Sequence, residues 1–358
     1  MPCPGLAIAI AAVLPPAALA AFLIYLLARY SPYVVRIFEE RPMFMPLRAD
    51  RGGEGEDVTF PGEQGLKLVG TYLPHRADSR AGVIVFCHEF LGDRWSVRPY
   101  ADHLRDLGFD LFSFDFRNHG SSDHDRVYRP LQWVTDHEIR DIRAALAYLR
   151  TRPDRDPAGF GLYGISRGGG AALCVASKDA GVWGVITDGA FPTRGTMMAY
   201  ILRWTEIYVG SETIWRRLPL WMFGVLGWFA RKRSQSRLHC RFPDVERAAS
   251  RIAPRPWLMI HGGRDAYIGP EIARGLFDEA GDPKELWIVP GAKHNRCREI
   301  QPEAYAAKLA DFCLRFAPRQ PRKPEAIADA PVVDPASLEA ESSTLALPVA
   351  KLEVAVPR

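Results

Sequence analysis

Short runs of β-branched and aromatic residues alternate with segments of helical period through most of this chain. Val83 to Cys87 is apolar at every position, as a strand buried on both faces must be. Leu66 to Leu73 alternates and reads as an earlier strand; Phe109 to Phe114, Ala158 to Tyr163, Val182 to Thr187, Trp257 to Ile260 and Leu286 to Val289 continue the series. Helical spacing fills the intervals at about Val97 to Leu107, Asp136 to Leu149, Arg167 to Lys178, Pro270 to Ala280 and Pro302 to Phe316. Strand and helix in turn predict an α/β fold, a mostly parallel sheet flanked by helices. Phe191 to Ser250 breaks this rhythm. It is too long for an ordinary crossover and reads as a helical cap inserted over one end of the sheet.

The ends follow other patterns. Leu6 to Ala28 carries no charge and, at 1.5 Å rise per residue, is long enough to cross a hydrocarbon core of about 30 Å. It reads as a transmembrane helix that Pro15 and Pro16 would kink. A cleaved signal peptide ending at Ala18-Leu19-Ala20 is the competing reading. Against it, no Lys or Arg precedes the run, which also continues past that site to Leu27. Arg29, Arg36, Arg41 and Arg48 all follow the span, so the body is expected to face the cytoplasm. Arg319 to Arg358 lacks aromatics and sustained periodicity, as a disordered tail does. The expected organisation is thus an anchor over residues 1–30, a linker over 31–56, a body over 57–318 with its cap at 191–250, and a tail over 319–358.

Composition narrows the chemistry. Of 358 residues, 47% are hydrophobic, which supplies a sizeable core and excludes wholesale disorder. The net charge of +4 is too small for binding nucleic acid through the overall field. The six cysteines stand far apart, with no CxxC pair and no Cys/His spacing suited to zinc, so free thiols, a reducing compartment and no metal or cofactor are expected.

Gly159-Phe160-Gly161-Leu162-Tyr163-Gly164 matches GxGxxG, with Asp188 further on. That fingerprint must follow a strand, and here the strand occupies the glycine region itself, so no nucleotide site is expected. The same glycines serve one step later: Gly164-Ile165-Ser166-Arg167-Gly168 is GxSxG between a strand and a helix. A sharp turn there strains the serine backbone, and small residues on either side let strand and helix approach. A serine hydroxyl needs a base oriented by a carboxylate. His294 and Asp265 each lie just past a strand, where ligands bind in open parallel sheets. Asp188 is the rival acid; His119 and His124 in a polar loop, His103 and His137 on helix surfaces, and His261 at a strand end compete weakly as bases.

With Cys87-His88-Glu89-Phe90-Leu91-Gly92, Asp115 to Ser122, GISRG at Gly164 to Gly168, His261-Gly262-Gly263-Arg264-Asp265 and Gly291-Ala292-Lys293-His294 in this order, the region from Val58 to Ala317 resembles the α/β-hydrolase family. It looks most like the membrane-anchored serine hydrolases of the BEM46-like and dienelactone-hydrolase-like kind. The resemblance implies an α/β-hydrolase fold, a Ser166, Asp265, His294 triad and an oxyanion hole made by the backbone N–H groups of Phe90 and Arg167. One departure stands out: Glu89 occupies a position usually held by glycine, near a hole meant for an anion. Either Arg167 neutralises it or it points to solvent.

The triad specifies acyl transfer and not the acyl group. Trp215 to Arg241 carries Arg216, Arg217, Arg231, Lys232, Arg233, Arg237 and Arg241 and no acidic residue, around an uncharged block with Trp221, Phe223, Trp228 and Phe229. Such a block suits a membrane interface, or else an ordinary cap helix with basic ends in water; nucleic acid does not fit, since the aromatics are not interleaved with the basic residues. The expected activity is carboxylic-ester hydrolysis with lipid-like or acylated substrates. A peptidase or thioesterase on the same triad, or a catalytically silent membrane-bound interaction protein, are the alternatives.

Overall fold

The computed structural model describes residues 4–40, 49–208 and 217–318, with side chains from Pro16 onward. Residues 41–48, Trp215 and Arg216, and the tail expected to be disordered lie outside them. The sheet has eight strands in the order β1-β2-β4-β3-β5-β6-β7-β8: β1 Glu56–Pro61, β2 Lys67–Leu73, β3 Gly82–Cys87, β4 Phe109–Phe114, β5 Phe160–Ile165, β6 Val182–Asp188, β7 Trp257–Gly262 and β8 Lys284–Val289. β1 pairs antiparallel with β2, and β2 antiparallel with β4; every other pairing is parallel.

Alternation along the strands feeds two cores. Phe160 and Leu162 of β5 face one core with helices α3 (Asp136–Thr151) and α4 (Arg167–Ala176). Tyr163 and Ile165 face the other, with α2 (Val97–Ala101) and the C-terminal helix Pro302–Phe316. α3 starts at a capping box: the Thr135 side chain accepts from the helix while Glu138 reaches back to the Thr135 N–H, satisfying donors a helix start leaves open.

The first helix, α1, runs Pro4–Glu39 and corrects the expected boundary, because residues 31–39 are helix where a linker was read. These last turns are docked on the body. Val34, Val35 and Phe38 are buried in a third core with Trp133, Phe191, Ile201, Phe223 and Phe242, and Trp133 Nε1 donates to the Ile37 carbonyl at 3.1 Å. That core is the underside of the cap, formed by α5 (Thr193–Tyr208) and α6 (Leu220–Arg237).

Candidate active site

Ser166 sits between the end of β5 and the start of α4 with φ 51° and ψ −116°, a conformation that costs a non-glycine residue about 1–3 kcal/mol. The neighbouring glycines make that turn possible. A Cβ on Gly164 would lie 2.5 Å from the Gly168 backbone, and one on Gly168 would lie 2.2 Å from the Cys87 carbonyl oxygen. The turn is held by the Ser166 N–H donating to the Asp188 carbonyl at 2.7 Å.

The three candidate residues meet. The Ser166 hydroxyl donates to His294 Nε2 at 2.9 Å, and His294 Nδ1–H donates to Asp265 Oδ2 at 2.6 Å. The other Asp265 oxygen accepts from the backbone N–H groups of Tyr267 and Ile268, both at 2.9 Å, which fixes the carboxylate. Burial acts to raise the Asp265 pKa, but the hydrogen bond and charge of His294 and the Ile268 N–H outweigh it and hold it below the usual carboxylate range. Gly189, at φ 71°, leaves room beside the imidazole, since a Cβ there would lie 3.2 Å from His294 Cε1.

The rival acid is engaged elsewhere. Asp188 accepts from Tyr305 OH at 2.8 Å, and burial pushes its pKa up to about 6 against the hydrogen bonds of Tyr305 and Cys297. His261 Nε2 donates to the Ile268 carbonyl, a structural bond. His137 corrects the sequence reading: it is buried at the start of α3, beside Arg117 and the His239 carbonyl.

Phe90 and Arg167 lie in one corner. α4 begins at Arg167, whose N–H has no intrahelical acceptor, and its guanidinium lies 5.4 Å from the Phe90 ring centroid. Neither expectation for Glu89 describes its surroundings. The side chain is buried, with Ser96 Oγ donating to one oxygen at 3.3 Å, and the other oxygen has no hydrogen-bond partner among the described residues. Gly92 makes room for it, for a Cβ there would lie 2.8 Å from the Glu89 carboxyl carbon. Arg167 instead donates to the Leu131 carbonyl at 3.0 Å, contacts His119 Nε2 at 3.2 Å and pairs with buried Glu138 at 3.4 Å. Glu138 is thus a supporting residue that the sequence reading missed. A cavity of about 270 Å³, lined by Leu91, Asn118, His119, His124, Tyr128, Arg129 and Pro130, meets this corner at His119.

A strained serine turn after a parallel strand, with a histidine and a carboxylate brought to it from later strand ends, is the arrangement of an α/β hydrolase. The chain belongs to the alpha/beta hydrolase family, whose model matches residues 84–308. It is 27% identical over 241 residues to the uncharacterised protein MT2364 of Mycobacterium tuberculosis, covering 67% of this chain and 73% of that one. It is 30% identical to thiohydrolase aneE of Aspergillus aculeatus, covering 46% of this chain and 52% of that one. Among solved structures, an esterase of Pyrococcus furiosus superposes with a TM-score of 0.57 at 21% identity, covering 77% of this chain and 98% of the other.

Proposed function

We propose that this hydrolase cleaves carboxylic esters through an acyl-enzyme on Ser166, with lipid-like or acylated substrates favoured. The observation that carries the reading is the unbroken hydrogen-bond chain from Ser166 through His294 to Asp265. Ser166 Oγ attacks the ester carbonyl while His294 Nε2 takes its proton, and Asp265 stabilises the imidazolium. The carbonyl oxygen becomes an oxyanion held by the N–H groups of Phe90 and Arg167, donors of a kind worth about 3–4 kcal/mol each. His294 then protonates the departing alcohol, and water, activated by the same imidazole, releases the acid and restores Ser166. A thioester would follow the same steps with a thiol leaving, and the similarity to a protein named as a thiohydrolase favours it as the second reading. α1, whose described part Pro16–Glu39 contains an 18-residue stretch of mean hydropathy 1.5, would hold the enzyme on a membrane, Arg29 and Arg36 after the uncharged run to Ala28 placing the body on the cytoplasmic side.

The test is a fluorophosphonate probe on the full chain in detergent, with a p-nitrophenyl ester series of rising chain length. Ser166 is expected to carry the label. Ser166→Ala, Asp265→Asn and His294→Ala are each expected to lose most activity, with double variants little worse than single ones. Labelling that persists in Ser166→Ala rejects the assignment; an unlabelled, inactive but folded chain supports the silent interaction protein instead.

A further inference from the structure

Helix α6 is apolar on two opposite faces, and the protein covers one of them. Phe223, Gly227, Ala230 and Ser234, spaced by four, three and four residues, are buried against the cap core and α1. Trp221, Val225, Trp228 and Lys232 repeat the same spacing two residues out of step, about 200° around the helix, and all are exposed. Trp221 is 42% and Trp228 54% exposed, large aromatic surfaces that a closed cap would turn inward.

Two features say what covers this face. α6 packs along α1, and Ser234 and Arg237 reach Glu39 at 3.4 and 3.5 Å, so the C-terminal ends of the two helices lie together. The first half of α6 therefore lies alongside the later part of the apolar span, where Leu23, Leu26 and Leu27 are partly covered while Phe22, Ile24 and Tyr25 are exposed. The second feature is charge. Past Trp228 the exposed surface turns basic at Lys232, whose ammonium lies 6.0 Å from the Trp228 ring centroid, and at Arg233; among the described residues no carboxylate pairs with either.

We infer that the Trp221, Val225, Trp228 face of α6 docks on the bilayer that α1 enters, with Lys232 and Arg233 on anionic headgroups. The aromatics enter the boundary between headgroups and acyl chains and the cations meet phosphate just above it. A lipid surface is favoured over a protein partner because the face is continuous with the span and its basic end needs only diffuse negative charge. The docked cap would hold the catalytic site against the membrane. Tyr200 of α5 donates to the Tyr267 carbonyl, and Tyr267 contacts the His294 ring, so the cap and the triad are directly joined.

The inference rests on α1 as the anchor, and the experiment separates the two. The full chain is reconstituted into phosphatidylcholine vesicles, with or without one third phosphatidylglycerol, carrying a phospholipid with a photoactivatable acyl chain. Cross-links are then mapped by peptide. Labelling of α1 and of Trp221 to Trp228 together is expected. The α6 signal should rise several-fold with phosphatidylglycerol and fall back in 0.5 M salt or in Lys232→Gln/Arg233→Gln, with α1 labelling unchanged. Label on α1 alone overturns the docking and keeps the anchor; label on α6 alone keeps the docking and overturns the anchor; label on neither overturns both. A disulfide-linked dimer formed quantitatively through Trp228→Cys in neutral vesicles would assign the face to a second copy and also overturn the docking.

Discussion

Beside the proposed oxyanion hole a carboxylate charge would oppose the reaction, and at Glu89 burial favours the uncharged form. Desolvation is the largest influence on this group. Asp93 adds to it, while the Glu89 N–H, Ser96 and Arg167 act the other way, and the pKa is raised from 4.5 to about 7. The sign of the linkage follows. Between about pH 4.5 and 7 the unfolded chain has given up a proton that the folded chain keeps, so stability falls as pH rises through that window. The cost is fully present above pH 7 and is about 3–4 kcal/mol, from about 1.4 kcal/mol per pH unit. Glu89→Gln is therefore expected to be more stable than the parent at pH 8.5, by chemical denaturation, with the advantage shrinking toward pH 4.5. An equal difference at both ends would show that the charge is solvated in the folded state.

At the scale of elements, legibility tracks how local the cause is. β3 was readable because burial on both faces makes every position apolar, β4 and β5 because Phe109, Leu111, Phe112 and Phe114, and Phe160, Leu162, Tyr163 and Ile165, keep each run largely apolar, and Ser166 was readable because the turn needs glycine at 164 and 168 whatever surrounds it. β1 was missed. Glu56-Asp57-Val58-Thr59-Phe60-Pro61 is an edge strand with Phe60 alone buried, so its sequence carries little of the strand signal. The predicted helix from Val97 to Leu107 is α-helical to Ala101 and then tightens to a 3-10 form at Asp102–Leu107. The end of α1 was missed because Arg29 and Arg36 read as chain leaving a membrane, whereas tertiary contacts with Trp133 and Phe242 keep it helical. The partners of Arg167 and the burial of Glu89 depend on distant segments and had no local signal. The elbow gives a sharp check. Gly168→Ala drives a methyl group into the Cys87 carbonyl, so the strand and helix must part; a loss of about 1–3 kcal/mol in stability and a larger loss of activity are expected in denaturation and ester assays. Wild-type activity in this variant would mean that the turn relaxes without moving Ser166.

Across the whole molecule, the sheet with its two flanking cores is distinct from the third core, which joins α1 to the cap. Phe38 is central to that third core: fully buried, it stacks on Phe242 with ring centroids 4.9 Å apart and lies 5.2 Å from Trp133. It belongs to the same helix as the apolar span, so any pull on α1 reaches the cap through this contact. Phe38→Ala removes a buried aromatic ring, a change that typically costs about 3–5 kcal/mol. Because the third core is separate, the loss should fall on the cap and the last turns of α1 before the sheet. Hydrogen exchange on the full chain in detergent is expected to accelerate over residues 31–39 and in α6 while β3, β5 and β7 remain protected. Exchange that rises equally in β5 would show that cap and sheet unfold as one cooperative unit, and that α1 is tied into the hydrolase body rather than into its cap.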